Sequence, residues 1–250
     1  MARVKYLKST LREVIFQVRF PKMLKLVDEQ PATFQEQIMG DYPIYNVQKR
    51  ETVVEVNGKP QQKLVDNNHS FISQSGRTKI DLTSTFLAVS TLEYDRYEAY
   101  KKIFENVLAK FYGCYAIPGI QRIGLRYKNF ITRSKLGLEA IPWSELLDGG
   151  IIGPMAQNRD ITQYKAEYEL KNGDQCFTRR HIELLRELNS QENTLMLDCD
   201  YYYSGFFKKE EVCIKSDSLH DLSLQFIESS HKAPLLDAMQ PQDLEPWLAI

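Results

Sequence analysis

The sequence predicts an α+β fold with antiparallel sheets, built from two tandem β-α-β(n)-α units, and three observations lead there. Apolar and polar residues alternate over many short segments, the period of strands buried on one face. These strands come in groups joined by turn signals, without the strand–helix rhythm of a parallel sheet. The order strand, short helix, several strands, long helix also occurs twice, over 1–119 and again over 120–250.

In the first unit, Val14, Phe16, Val18 and Phe20 alternate with Ile15, Gln17 and Arg19, and Pro21 stops the strand. A short helix follows, with Pro31 in its first turn, Phe34 and Ile38 four apart, and Gly40 at its exit. Tyr45 to Val56 reads as a strand running into an Asn57-Gly58 hairpin turn. Phe71 to Ser73 and Thr78 to Thr91 continue as strands around a turn at Ser75-Gly76. The segment TLEYDRYEAYKKIFENVLAKFYG is the clearest helix. It places Tyr97, Tyr100, Phe104, Val107, Leu108 and Phe111 on one face, with Asp95 and Glu98 as a cap and Gly113 as a stop.

The second unit opens with QRIGLRYKNFI, a strand, and IPWSELL, a short helix. Ile161 to Leu170 alternates, Asn172-Gly173 offers a hairpin turn, and Phe177 to Leu185 and Thr194 to Tyr203 read as strands. Ser216 or Asp217 is the expected cap of a last helix carrying Leu219, Leu222 and Phe226 inward, with Pro234 ending the run. The two first strands superpose, FQVRF over IGLRY, each with an Arg between two apolar residues. The order is similar to the helix-grip arrangement and to the repeat of the TATA-box binding protein, which implies two units packed together around one curved sheet.

Composition removes several function classes. Lys+Arg 32 against Asp+Glu 33 leaves a formal charge of -1, so no global field draws the chain to nucleic acid or membrane. The apolar run in VIFQVRF is broken at once by Gln17 and Arg19, which does not suit a signal peptide, and no apolar run is long enough to span a bilayer. Cys114, Cys176, Cys199 and Cys213 form no CxxC pair and read as free thiols. A soluble, cytoplasmic chain is the expectation.

LREVIFQVRFP, FISQSGRTKIDLTS, YDRYEAYKKIFENVL, RIGLRYKN and MLDCD occur here in that order. Together they resemble a sporadically distributed prokaryotic family of uncharacterised proteins of similar length. Lys128 departs from that pattern, where an apolar residue is usual. The resemblance implies a shared fold and a patchy distribution of the kind seen for phage-defence genes, with no activity or functional residue to carry over.

Two residue sets are candidates for a site. Arg122, Arg126 and Lys128 share the parity opposite to Ile123, Leu125 and Tyr127; with Arg19 and Asn129 they make a cationic row fit for an acidic partner surface or phosphate. Glu167, Glu169, Glu183 and Glu187 on other strands are the carboxylates that would neutralise such a row. The second set is Asp198-x-Asp200 with His181-x-Glu183, able to converge on a divalent metal across a strand pair. Tyr202 shares the Asp parity. No GxSxG, P-loop or GxGxxG frame is present, and His69, His181, His220 and His231 lack metal spacing. The tail PQDLEPWLAI ends in Trp247, Leu248 and Ile250, suited to docking on the body or on a partner. The leading expectation is a non-enzymatic binding protein, without cofactor, whose outward sheet face engages a protein partner, in a phage-defence or toxin-neutralising system. Self-association is left open. The alternatives are a metal-dependent hydrolase of phosphate esters or nucleotides using Asp198 and Asp200, and a nucleic-acid-binding saddle.

Overall fold

The computed structural model describes residues 4–56, 59–157, 161–186 and 192–243, with the backbone alone at 4, 28, 50–56, 59–65 and 243. Alternation sets the architecture from the first long strand onward. After β1 (Val4–Tyr6), β2 (Leu11–Arg19) buries Val14, Phe16 and Val18 and leaves Ile15, Gln17 and Arg19 on the other side. The short helices α1 (Lys25–Asp28) and α2 (Ala32–Ile38) follow, the latter burying the expected Phe34 and Ile38. Four strands come next: β3 (Ile44–Val56), β4 (Lys59–Ile72), β5 (Thr78–Leu82) and β6 (Phe86–Thr91). Gly76 adopts φ 72 in the turn before β5, a conformation that favours glycine. A second turn at Thr83–Thr85 splits what reads as continuous strand from Thr78 to Thr91; there Thr83 Oγ1 accepts from the amides of Thr85 and Phe86.

α3 (Tyr97–Cys114) buries the six residues expected of it. Its start differs: Arg96 is the N-cap and gives no side-chain cap, while Asp95 is drawn away to Lys5 and Arg96. The second half runs β7 (Ile120–Thr132), α4 (Trp143–Leu146), α5 (Gly149–Ile152), β8 (Lys165–Lys171), β9 (Cys176–Arg186), β10 (Asn193–Phe207), α6 (Glu211–Ser230), α7 (Ala233–Ala238) and β11 (Pro241–Asp243). α6 begins a turn and a half before the expected Ser216 or Asp217 cap. Ser216 is a buried mid-helix residue whose hydroxyl donates to the carbonyl of Cys213. The Asn172-Gly173 turn joins β8 to β9, whereas Asn57-Gly58, Glu187 and the tail from 244 onward lie outside the described residues.

The strands form one nine-stranded antiparallel sheet in the order β3-β4-β5-β6-β2-β7-β10-β9-β8. Its middle strand is β2, paired with β7 so that Arg19 lies opposite Arg122 and Gln17 opposite Gly124. In each half the last strand returns beside the first, β6 beside β2 and β10 beside β7, and earlier strands step outward. β1 and β11 pair separately, Val4 with Asp243.

α3 and α6 cover one face of this sheet. Phe16 of β2 stacks on Phe104 of α3 at 4.0 Å, Phe20 meets Phe111, and Leu219 and Phe226 of α6 are buried over β7 and β10. Burying aromatics of this size supplies most of the driving force for closing the layers. The layers are also keyed by one hydroxyl. Tyr100 accepts from the Phe16 amide at 2.9 Å and donates to the Val89 carbonyl at 2.6 Å, so a helix side chain satisfies backbone groups of two sheet strands. No helix is long and apolar enough to cross a membrane among the described residues.

Candidate functional site

The opposite face of the sheet carries the even-numbered residues of β7 and β10 and the odd-numbered residues of β2 and β9. It bears most of the cations expected there. Register sets Lys128 across from Asp198, Arg126 across from Asp200 and Arg122 across from Ser204. Long side chains then reach diagonally. Arg122 runs along β7 past Gly124, and its Nη2 donates to both carboxylate oxygens of Asp200, at 2.8 and 2.7 Å. Its Nη1 donates to Gln17 Oε1 at 3.1 Å, and its guanidinium lies 4.4 Å over the Tyr202 ring.

Gly124 makes that path available. A Cβ at 124 would stand 2.2 Å from Arg122 Nη1. The smallest residue is therefore used here for room, not for a turn.

Arg126 grips Asp198 with both ends of its fork, Nε to Oδ1 at 2.6 Å and Nη2 to Oδ2. Asp198 is only 5% exposed, and its hydrogen bonds hold the Arg126 pKa above its ordinary value. Lys128 meets Glu13 of β2 at 2.7 Å. On β9, Arg179 donates to Glu169 of β8 at 3.0 Å, and the Tyr202 hydroxyl donates to the same Oε2 at 2.6 Å. Those two donors, Tyr202 foremost, hold the Glu169 carboxyl below its usual range. Arg19 donates from Nε to Gln17 Oε1 at 3.3 Å. Four cations, Arg122, Arg126, Lys128 and Arg179, thus face four carboxylates, Asp200, Asp198, Glu13 and Glu169, in a contiguous charge lattice.

Of the predicted cationic row, Arg19, Arg122, Arg126 and Lys128 come together on this face. Asn129 does not. It has the parity of Tyr127 and Ile131, its Oδ1 accepts from Thr10 Oγ1 at 3.1 Å, and it faces the helices. The bulge in β2 between Leu11 and Glu13 sits beside it. The neutralising carboxylates differ as well: Asp198 and Asp200 serve in place of Glu167 and Glu183, and only Glu169 belongs to the expected set.

The other predicted set is brought into register. His181 lies directly across from Asp198, with Glu183 and Asp200 one step away on either side. Their chemistry is committed elsewhere: both aspartates hold guanidinium groups, and His181 Nε2 lies 2.9 Å from Glu183 Oε2 without a hydrogen bond. Among the described residues, no three or more His, Cys, Asp or Glu side chains are grouped to hold a metal ion.

Sequence reasoning missed Glu13, Gln17, Arg179 and the spacing role of Gly124. Parity alone flags the first three as outward; their partnerships required the strand order. No model of a known protein family matches the chain, and no curated protein matches it either.

Proposed function

We propose that the chain is a non-enzymatic binding protein that engages a protein partner with the uncovered face of its sheet. One observation carries this reading: among the described residues the helices cover one face alone, and the centre of the other is a preorganised lattice of paired charges set among Tyr202, Phe177, Ile15 and Phe86. Arg and Tyr held in one geometry lose little entropy on association, which is how such residues come to dominate interfaces. The mirrored strand order about β2 and β7 supports reading the chain as one unit built twice, similar to the repeat of the TATA-box binding protein. A place in a phage-defence or toxin-neutralising system belongs to this proposal through the family resemblance.

The charge lattice favours a protein over the other two partners considered. Phosphate backbones are bound by cations that can release counterions, and here Arg122, Arg126, Lys128 and Arg179 each already face a carboxylate. A hydrolase would need Asp198 and Asp200 to give up their guanidinium groups. A partner of mixed charge, with aromatic or aliphatic groups for Tyr202 and Phe177, fits best.

The test is cross-linking of the purified partner complex from the native host, followed by variants at the exposed margin, Arg19→Glu and Arg179→Glu. Cross-links at Lys79, Lys128 and Lys171, and loss of the partner in both variants at unchanged melting temperature, are expected. Cross-links confined to α3 and α6 would overturn the assignment of this face.

A further inference from the structure

Behind the sheet, away from the charge lattice, α6 does not close fully onto β7 and β10. A cavity of about 190 Å³ remains. Tyr127 and Asn129 of β7 and Cys199 and Tyr201 of β10 form its floor, and His220 and Ser223 of α6 its roof. Tyr94 and Tyr97 stand at one side, and Lys5 and Asp95, both partly exposed, mark the mouth. We propose that this cavity is a binding site for a small planar ligand: a single, uncharged aromatic or heteroaromatic ring bearing a hydrogen-bond acceptor such as a carbonyl.

Size and shape come first. An apolar cavity of about 150 Å³ accommodates benzene, and pockets for drug-sized ligands begin at about 300 Å³. The space here therefore suits one ring with a substituent. The walls are rings already fixed in place. His220 stacks on Tyr97 at 4.0 Å and 11°, and the Tyr97 hydroxyl is pinned to Asp217 at 2.9 Å. Tyr94 stands edge-on to Tyr127 at 6.1 Å and 90°. Such rigid faces and edges favour a flat guest over a saturated one.

Polarity decides the rest. The Tyr127 hydroxyl lies 2.9 Å from His220 Nδ1. Asn129 Oδ1 accepts from Thr10 Oγ1, and its amide N–H groups have no hydrogen bond among the described residues. An acceptor on the ligand would satisfy them. Burial pushes the Cys199 thiol up to about 12, so the floor carries no thiolate. At the mouth, Asp95 pairs with Lys5 and lies near Arg96, while Glu228 brings further negative charge. Arg180 stacks behind Phe226 at 3.9 Å but does not line the cavity. Arg96 and Glu98, both partly buried, also line it, so a guest with a full charge of either sign meets like charge as well as opposite charge there.

Saturation-transfer NMR and thermal shift on the full chain test this with four probes: benzamide, cyclohexanecarboxamide, benzoate and benzyltrimethylammonium. Benzamide should bind at least about tenfold tighter than each of the others. Asn129→Leu should weaken benzamide about tenfold while leaving the binding of benzene, added as a fifth probe for the variants, intact, and Leu224→Trp, at the wall, should abolish both. Circular dichroism verifies that both variants fold. Equal binding of cyclohexanecarboxamide, preference for either ion, unchanged benzamide affinity in Asn129→Leu, or no response to any probe through the millimolar range would each overturn the proposal. If either variant is unfolded, the ranking of the four probes on the unmodified protein decides alone.

Discussion

The guanidinium of Arg122 occupies the space in which a side chain at Gly124 would have to stand. Glycine in a strand interior ordinarily costs about 0.5–1 kcal/mol relative to alanine, so its use here is offset by what Arg122 gains in reaching Asp200, Gln17 and Tyr202. Gly124→Ala should destabilise the protein by about 1 kcal/mol, the scale of a displaced charged hydrogen bond. In an Arg122→Ala background the same substitution should be neutral or stabilising. Urea unfolding of the four proteins in the cycle gives the coupling directly, and a cost that is identical in both backgrounds would remove the packing account.

Arg126 and Asp198 are unequal partners, the guanidinium 41% exposed and the carboxylate 5%. Removing the cation leaves a buried charge behind. Arg126→Met should cost about 2–3 kcal/mol, and adding Asp198→Asn should restore most of it, since a neutral amide is cheaper to bury alone than a carboxylate. Failure of the double variant to recover stability would assign the loss to packing and not to charge.

Tyr100 and Tyr97 lie one turn apart on α3 and are chemically alike, yet their hydroxyls do different work. Tyr100 satisfies Phe16 N–H and Val89 C=O inside the sheet, while Tyr97 donates to Asp217, which Lys101 also holds at 2.7 Å. Tyr100→Phe should cost about 2–3 kcal/mol because two buried backbone groups lose a partner. Tyr97→Phe should cost about 1 kcal/mol or less, since Asp217 keeps its ammonium. Parallel denaturation curves resolve the two.

Much of this architecture was legible in the residues, and the reason is periodicity. The six buried residues of α3 repeat at helical spacing, and β2 and β7 alternate so strictly that each cation near their middle falls on one face. What parity cannot supply is adjacency. That Asp198 lies beside Arg126, and that His181 faces Asp198, follows from β10 sitting between β7 and β9, a strand order no local pattern records. Asn129 differs because its polarity suggests the outward set, while its position in the alternation assigns it inward, beside Thr10. The cavity was hidden for the same reason: Tyr127 shares the core parity of β7 and His220 shows no metal spacing, and the gap between them depends on how α6 lies over the sheet.

His231 makes the pH dependence of the fold testable. It follows the last turn of α6, 6% exposed, bridging to Leu147 with its Nδ1 2.9 Å from Ser230 Oγ. Burial lowers its pKa from 6.5 to about 4. The unfolded chain therefore binds this proton more readily than the folded one between those two values. Stability is fully present above pH 6.5 and is lost as pH falls toward 4, by about 3 kcal/mol over that window at 1.36 kcal/mol for each unit. His231→Asn, which keeps a polar atom near Ser230 but cannot titrate, should lower stability at pH 7 and flatten the decline between pH 6.5 and 4. Chemical denaturation at half-unit pH steps measures the slope. An equally steep decline in the variant would show that other groups, and not this buried imidazole, set the acid sensitivity of the protein.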